Sequence, residues 1–351
     1  MPQITSKDVA RLAGVSRSTV SLVLNKVPNI QLASETREKV WKAAQELNYQ
    51  PNVLAQSLKT NRSKIIGLII PSITNPFYPS IAQGVEDIAI ENGYNIFLCN
   101  TFRNQAKEEN YIKTLASKQV DGTIFASAVL NLSGLEELHK RKIAIVTFDK
   151  RIDNNDFDCI QFDNVKGGEM AVNYLFSLGH RNIGFISTSF ASASHIDRLA
   201  GYKKAHAEAG FPVNPNYIRE DKDHNKVNLQ TNYEQNIGLK LASELLEECP
   251  EVTAIFAVND VTAMGVIKLK QKGVRIPEDL SVIGFDDIFI AEMLDPPLTT
   301  IVQPIYKMGQ QAAKLLISMI EGKEKDSKEP RHVLIYSPEL MIRNSCRPLD
   351  K

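Results

Sequence analysis

The chain has 351 residues, 43% apolar, 7% aromatic and 23% charged, an ordinary globular composition with length for two or three domains. Lys+Arg and Asp+Glu both number 41, yet residues 1–64 hold ten basic and four acidic side chains, so a net +6 there opposes −6 over the rest. A small basic domain ahead of a larger acidic one points to a polyanion as the partner of the first. No apolar run approaches the ~20 residues of a bilayer span, and MPQITSKDVARLAG lacks the apolar core of a secretory signal. Cys99, Cys159, Cys249 and Cys346 fit no disulfide or zinc spacing and read as buried small hydrophobes. The expectation is a cytoplasmic protein with no membrane contact, no metal and no cofactor.

Thr5 and Ser6 cap a short helix through Ala13, with Val9, Leu12 and Ala13 on one face. Gly14 breaks it, and Ser16 caps a second helix over 17–25 whose Val20, Val23 and Leu24 recur at core spacing. Ser18, Thr19, Ser21 and Leu22 are left off that face. A third amphipathic helix over 34–47 carries Val40, Ala44 and Leu47. Two short helices joined at a glycine and braced by a third predict a helix-turn-helix. The bland alternative is a three-helix module that only packs on its neighbour. Small hydroxyls beside Arg17, in the block that holds the positive charge, favour phosphate and base-edge contacts in a major groove. Pro51 then opens a segment of under two helical turns, marginal by itself, whose Val53, Leu54, Ala55 and Leu58 are too apolar for a simple linker. A minor-groove wedge or a symmetry mate would cover them.

The run Val9-Ala10, Ala13-Gly14-Val15-Ser16, Thr19-Val20-Ser21, Leu24-Asn25, then Thr36-Arg37, then Tyr49-Gln50-Pro51-Asn52, Ala55 and Ser57-Leu58 resembles the start of the LacI/GalR family of bacterial transcription regulators. The resemblance implies base contacts from Arg17, Ser18, Ser21 and Leu22, and phosphate or positioning roles for Thr5, Ser16, Thr19 and Asn25. Asn52 joins the DNA-binding set, and Leu58, with Ala55 beside it, would be the lever that enters the minor groove. Two such levers meeting require a homodimer on a pseudo-palindromic operator. The 26–33 loop is longer than the family's pattern, so no phosphate contacts are carried over to it.

From Lys64 onward, apolar strand-length runs (65–70, 95–99, 123–126, 144–148, 160–162) alternate with helical patterns, and the series restarts near Asn164 with strands at 183–187, 254–258 and 281–285. Such alternation predicts parallel sheets of βαβ units. The fold expected is α/β: a two-lobed, periplasmic-binding-protein-like effector domain of doubly wound parallel sheets behind an all-α helix-turn-helix domain. The expected bounds are 1–49 for the DNA-binding domain and 50–63 for the hinge. The effector domain spans 64–343, with lobe 1 over 64–163 and 294–325 and lobe 2 over 164–293 and 326–343.

Ligands in open α/β sheets sit beyond the carboxyl ends of the strands. Those ends carry Asn75 and Phe77, Asp149, Phe162, Arg198, Asn259 and Asp286, a convergence of carboxylate, amide and guanidinium with aromatic rings that suits a hydroxyl-rich ligand. Asn164 and Asp260 read as helix caps. Thr74-Asn75-Pro76-Phe77, Arg198-Leu199-Ala200-Gly201-Tyr202, Asn259-Asp260, Gly284-Phe285-Asp286-Asp287 and Pro297-Leu298-Thr299-Thr300 resemble the family's effector domain, which implies effector contacts first for Arg198, Asn259 and Asp286, then for Asn75, Phe77, Phe162 and Asp149. The 221–236 stretch departs from the pattern; Tyr233 is the candidate stacking ring there. Helices over 81–90 and 305–320 are expected to bury their outer apolar faces against a second subunit. No P-loop, G-x-S-x-G, H-E-x-x-H or dinucleotide fingerprint is present, so no enzymatic activity is expected. The function expected is a transcriptional regulator, of repressor type, acting on carbohydrate-metabolism genes and controlled by a sugar-like effector. The alternative is a catabolite-control-type regulator whose corepressor is a phosphorylated carrier protein, with Lys307, Lys314 and Arg331 as docking candidates.

Overall fold

Helix-capping chemistry shapes the N-terminal part of the computed structural model, which describes residues 4–24, 32–50, 62–126, 133–148, 157–188, 192–221, 232–322 and 333–349. The chain divides into two units, Met1–Ser63 and Lys64–Lys351. In the first, α1 (Ser6–Ala13), α2 (Arg17–Leu24) and α3 (Ser34–Glu46) surround a core of Val9, Ala10, Val20, Val23, Val40, Ala43 and Ala44. The Thr5 amide and hydroxyl both donate to Asp8 Oδ2, at 3.0 and 2.7 Å, fixing the start of α1. Gly14, at φ 66°, ends it in the left-handed conformation glycine adopts without penalty. Ser16 Oγ then accepts the Thr19 amide at 3.1 Å and opens α2. Leu12 differs from expectation: it is 47% exposed and Ala10 is buried in its place, because the inward stripe of α1 runs through 9, 10 and 13.

Along the second unit come β1 (Ile65–Ile70), α4 (Phe77–Glu91), β2 (Asn95–Asn100), α5 (Gln105–Ser117), β3 (Gly122–Phe125), α6 (Ser133–Lys140), β4 (Ala144–Phe148) and β5 (Asp158–Phe162). After them follow α7 (Asn164–Ser177), β6 (Ile183–Ser187), α8 (Ala193–Glu208), β7 (Ile218–Glu220), α9 (Tyr233–Glu248), β8 (Ala254–Ala257), α10 (Asp260–Ile267), β9 (Ser281–Asp286) and β10 (Thr299–Val302). The chain closes with α11 (Ile305–Ile320), β11 (Val333–Tyr336) and β12 (Glu339–Met341). Two six-stranded sheets result, ordered β11-β5-β4-β3-β1-β2 and β12-β10-β9-β8-β6-β7. The first is parallel throughout; in the second only β12 runs antiparallel, on β10. Inner strands such as IIGLII and AIFA are continuously apolar because helices cover both faces.

The lobe bounds differ from those read in sequence. Strand β10 pairs with β9 and so belongs to the second sheet, whereas β11 pairs with β5 and belongs to the first. Among the described residues the chain therefore passes between lobes at 162–164, 302–305 and 336–339. At these crossings the Asp163 amide donates to the Tyr336 carbonyl at 2.9 Å and the Gln303 amide to that of Asp286 at 3.3 Å.

The inward apolar stripes of α4 and α11 meet each other within the subunit. Ile81, Val85, Met308, Ala312 and Ala313 are buried within the subunit as the two helices pack on each other. The approach is so close that a Cβ on Gly84 would stand 2.2 Å from the Tyr306 carbonyl oxygen. Cys99, Cys159 and Cys249 are buried and Cys346 is half-buried, all as free thiols. Burial pushes the Cys99 thiol up to about 12. Among the described residues no helix is long and apolar enough to cross a membrane.

Candidate functional site

On the N-terminal unit, Arg17 and Ser18 are exposed at the start of α2, and Thr19, Ser21 and Leu22 are half-buried along it. Ser16 Oγ lies 2.6 Å from Ser18 Oγ and 2.8 Å from Thr19 Oγ1, so one hydroxyl cluster surrounds the N-terminus of the helix. Free amides and hydroxyls at a helix start favour a phosphate. Thr5 spends its hydroxyl on Asp8. Asn25, Asn52, Ala55 and Leu58 lie outside the described residues.

In the second unit the strand ends converge on two arginines, Arg198 buried and Arg103 half-buried. Arg198, from the first turns of α8, donates from Nε to Asn164 Oδ1 at 2.9 Å and from Nη1 to the Val258 carbonyl at 2.7 Å. Its Nη2 stands 3.2 Å from Asp286 Oδ1, and its guanidinium carbon lies 3.7 Å from the centre of the Phe285 ring. Gln303, at a lobe crossing, donates to the same Asp286 oxygen at 2.7 Å. Asp286 and Asp287 adopt φ of 116° and 54°, backbone strain of about 1–3 kcal/mol each that collects where a surrounding site over-determines it. Phe162 meets Phe285 edge to face at 5.7 Å, so rings of the two lobes touch.

The second arginine was not foreseen. Arg103 follows β2 in a loop where Phe102 and Arg103 hold φ of 52° and 56°, and its guanidinium is hydrogen-bonded to Glu234 Oε1. Glu234 is 4% exposed in the first turn of α9. Its Oε2 accepts Asn75 Nδ2 at 2.9 Å from the first lobe and Asn259 Nδ2 at 3.1 Å from the second. Both amide orientations follow from their other bonds: Asn75 Oδ1 accepts the Phe77 amide and Asn259 Oδ1 the Thr262 amide. Tyr78, beside Arg103, Glu234, Asp286 and Arg198, has its phenol held well above the usual range, chiefly by burial.

Thus Asn75, Arg198, Asn259 and Asp286 are brought together with Phe162 and Phe77, while Asp149 lies outside the described residues. Two corrections concern caps. Asp163, not Asn164, caps α7 by accepting the Lys166 amide, and Asn259, not Asp260, caps α10. Asn164 is instead the acceptor of Arg198. Asp260, wholly buried, accepts Thr300 Oγ1 at 2.6 Å and the Ile288 amide at 2.9 Å, and burial first, then the Asp286 charge, raise its carboxyl well above the aspartate range. Tyr233, the candidate stacking ring, opens α9 and donates its hydroxyl to Asp221 at 2.7 Å. The signal that could have found Glu234 is the Gly238, Leu241, Ala242, Leu245 periodicity that makes α9 a packed helix.

Residues 5–52 match the model of bacterial regulatory proteins of the lacI family, and residues 63–344 that of periplasmic binding proteins and the sugar-binding domain of the LacI family. The chain belongs to the LacI family. Among LacI-family relatives, the HTH-type transcriptional repressor PurR of Vibrio parahaemolyticus is 37% identical over 348 residues, 99% of either chain. The structure of a LacI-family regulator from Enterococcus faecium with bound ribose is 31% identical, with TM-score 0.70, over 82% of this chain and 100% of that one. The lac repressor dimer bound to operator and the anti-inducer ONPF is 25% identical with TM-score 0.81, over 98% and 99%. As a LacI-family member the chain is a transcriptional regulator, not an enzyme.

Proposed function

We propose that this regulator represses transcription of carbohydrate-metabolism genes by binding a pseudo-palindromic operator as a homodimer, and that an uncharged, carbohydrate-like molecule between the lobes controls that binding. The observation that carries the effector reading is the charge balance of the cleft: Arg198 is paired with Asp286 and Arg103 with Glu234, with Arg198, Asp286 and Glu234 buried and Arg103 half-buried. A ligand entering such a site needs no charge of its own and exchanges hydrogen bonds, as sugar hydroxyls do with paired donors and acceptors. The ribose of the Enterococcus faecium regulator belongs to that class. A planar base is less well served, because Phe162 and Phe285 pack edge to face and the Arg198 guanidinium covers a face of Phe285. Asn75, Phe77, Phe162, Arg198, Asn259 and Asp286 form the effector set in this reading, with Asp149.

Arg17, Ser18, Ser21 and Leu22 face base edges, and Thr5, Ser16, Thr19 and Asn25 face phosphates. Asn52 and the Leu58 wedge beside Ala55 serve the operator centre. The three lobe crossings give the effector its lever: closing the lobes reorients the first lobe, and a differential affinity worth ~1–3 kcal/mol suffices to shift operator binding.

The test is selection of operator duplexes by the full chain, followed by operator affinity and melting temperature with D-ribose, cellobiose, D-ribose 5-phosphate and a purine base. A neutral sugar that alters both is the expected result, with ~2.7 kcal/mol of stabilisation at a hundred times its Kd. A purine or a sugar phosphate acting in its place overturns the carbohydrate reading. Failure to bind any duplex at low salt overturns the regulator reading.

A further inference from the structure

Glu234 collects three donors from three chain segments: Asn75 and Arg103 from the first lobe and Asn259 from the second. It is nearly inaccessible to water, at 4% exposure. The Arg103 that it meets is delivered by two consecutive residues in the left-handed region, a geometry a loop keeps only where its surroundings hold it. A guanidinium stays protonated in any protein environment, so a cleft holding the half-buried Arg103 without Glu234 would hold an uncompensated, partly desolvated cation and recruit an anion to it.

We propose that Glu234 sets the charge class of the effector: by neutralising Arg103 inside the cleft, it makes the site one for an uncharged ligand and turns anionic ones away. This rests on the reading of that cleft as the effector site. The buried Arg198 cannot play the same part, because it is already bonded to Asn164, Val258 and Asp286 within one lobe. Arg103 and Glu234 come from opposite lobes, so a ligand between the lobes meets both.

The experiment compares full-length wild type, Glu234→Gln and the double variant Glu234→Gln/Arg103→Gln by calorimetric titration with D-ribose 5-phosphate at constant ionic strength. Glu234→Gln keeps the side-chain shape and an acceptor oxygen but removes the charge. The expected result is at least a tenfold gain in affinity for the phosphate ester over wild type, lost again in the double variant. Equal affinity in wild type and Glu234→Gln overturns the proposal, as does a gain that survives removal of Arg103. Should Glu234→Gln lose its cooperative melt, Arg103→Gln carries the test from the other side. It leaves the carboxylate uncompensated, and the cationic amino sugar D-glucosamine should then bind at least tenfold tighter than to wild type; no gain overturns the proposal. Operator binding by wild type, measured in parallel, keeps the two readings apart. A wild-type chain that ignores every duplex counts against the regulator reading, whereas normal operator binding with unchanged charge preference counts against Glu234 alone.

Discussion

The Arg198 guanidinium lies over the Phe285 ring, 3.7 Å from its centre, while its edge reaches Asp286, the residue that follows that ring in the chain. One cation thus satisfies a π face and a buried carboxylate at once, and it is locked further by Asn164 and the Val258 carbonyl. Strained backbone at Asp286 is affordable only inside such a network.

Arg198→Ala should therefore do more than remove a ligand contact. It leaves Asp286 buried without its cation, and breaking a buried pair from one side costs about 3–5 kcal/mol. Urea unfolding should show that loss, and operator binding by whatever remains folded should no longer respond to effector. A stability change under 1 kcal/mol would mean Asp286 finds another partner.

Asp260→Asn tests the raised carboxyl. A carboxyl with a folded pKa above its unfolded value keeps its proton longer in the native state, so it subtracts stability progressively as pH rises from the ordinary aspartate range. The asparagine variant has no such proton to lose. Its unfolding free energy minus that of wild type should grow in the variant's favour as pH is raised from 4 to 8; a pH-independent difference contradicts the shift.

Gly84→Ala probes the contact between α4 and α11. The added methyl would meet the Tyr306 carbonyl oxygen at 2.2 Å, a backbone atom that cannot yield as a flexible side chain would. Overpacking of this kind costs about 1–3 kcal/mol, read as a lowered melting temperature. An unchanged melt would show that the helices slide apart freely.

Arg17→Ala should relax sequence preference at one operator position, costing ~1–3 kcal/mol there if its partner is a guanine edge. A uniform loss over all duplexes would reassign Arg17 to a phosphate.

The strands were legible because both faces of each inner strand are covered: 65–70, 144–148 and 183–187 are apolar enough to be read without error at either end. Sheet membership was not, since neither the buried β10 nor the largely exposed edge strand β11 carries a residue pattern that names its neighbour. Asp163 and Asn164 are adjacent, and both residue types cap helices, so composition alone could not tell which one accepts the Lys166 amide. In the cleft, Arg198, Asn259 and Asp286 stood at strand ends where α/β geometry looks for ligands. Arg103 and Glu234 did not. A loop arginine has no periodicity to mark it, and a glutamate in a first turn reads as a partner of the helix dipole. Only the long-range approach of two lobes makes them a pair.

Strands β11 and β12 are separated by two residues, yet they complete the outer edges of different sheets, and residues 344–349 then strap the second by bonds from Ser345 to Val282 and from Leu349 to Leu178. Neither lobe, then, has its full set of strands until residues 333–341 are in place. Both lobes share this one short segment, so a lesion within it would damage the two at a stroke.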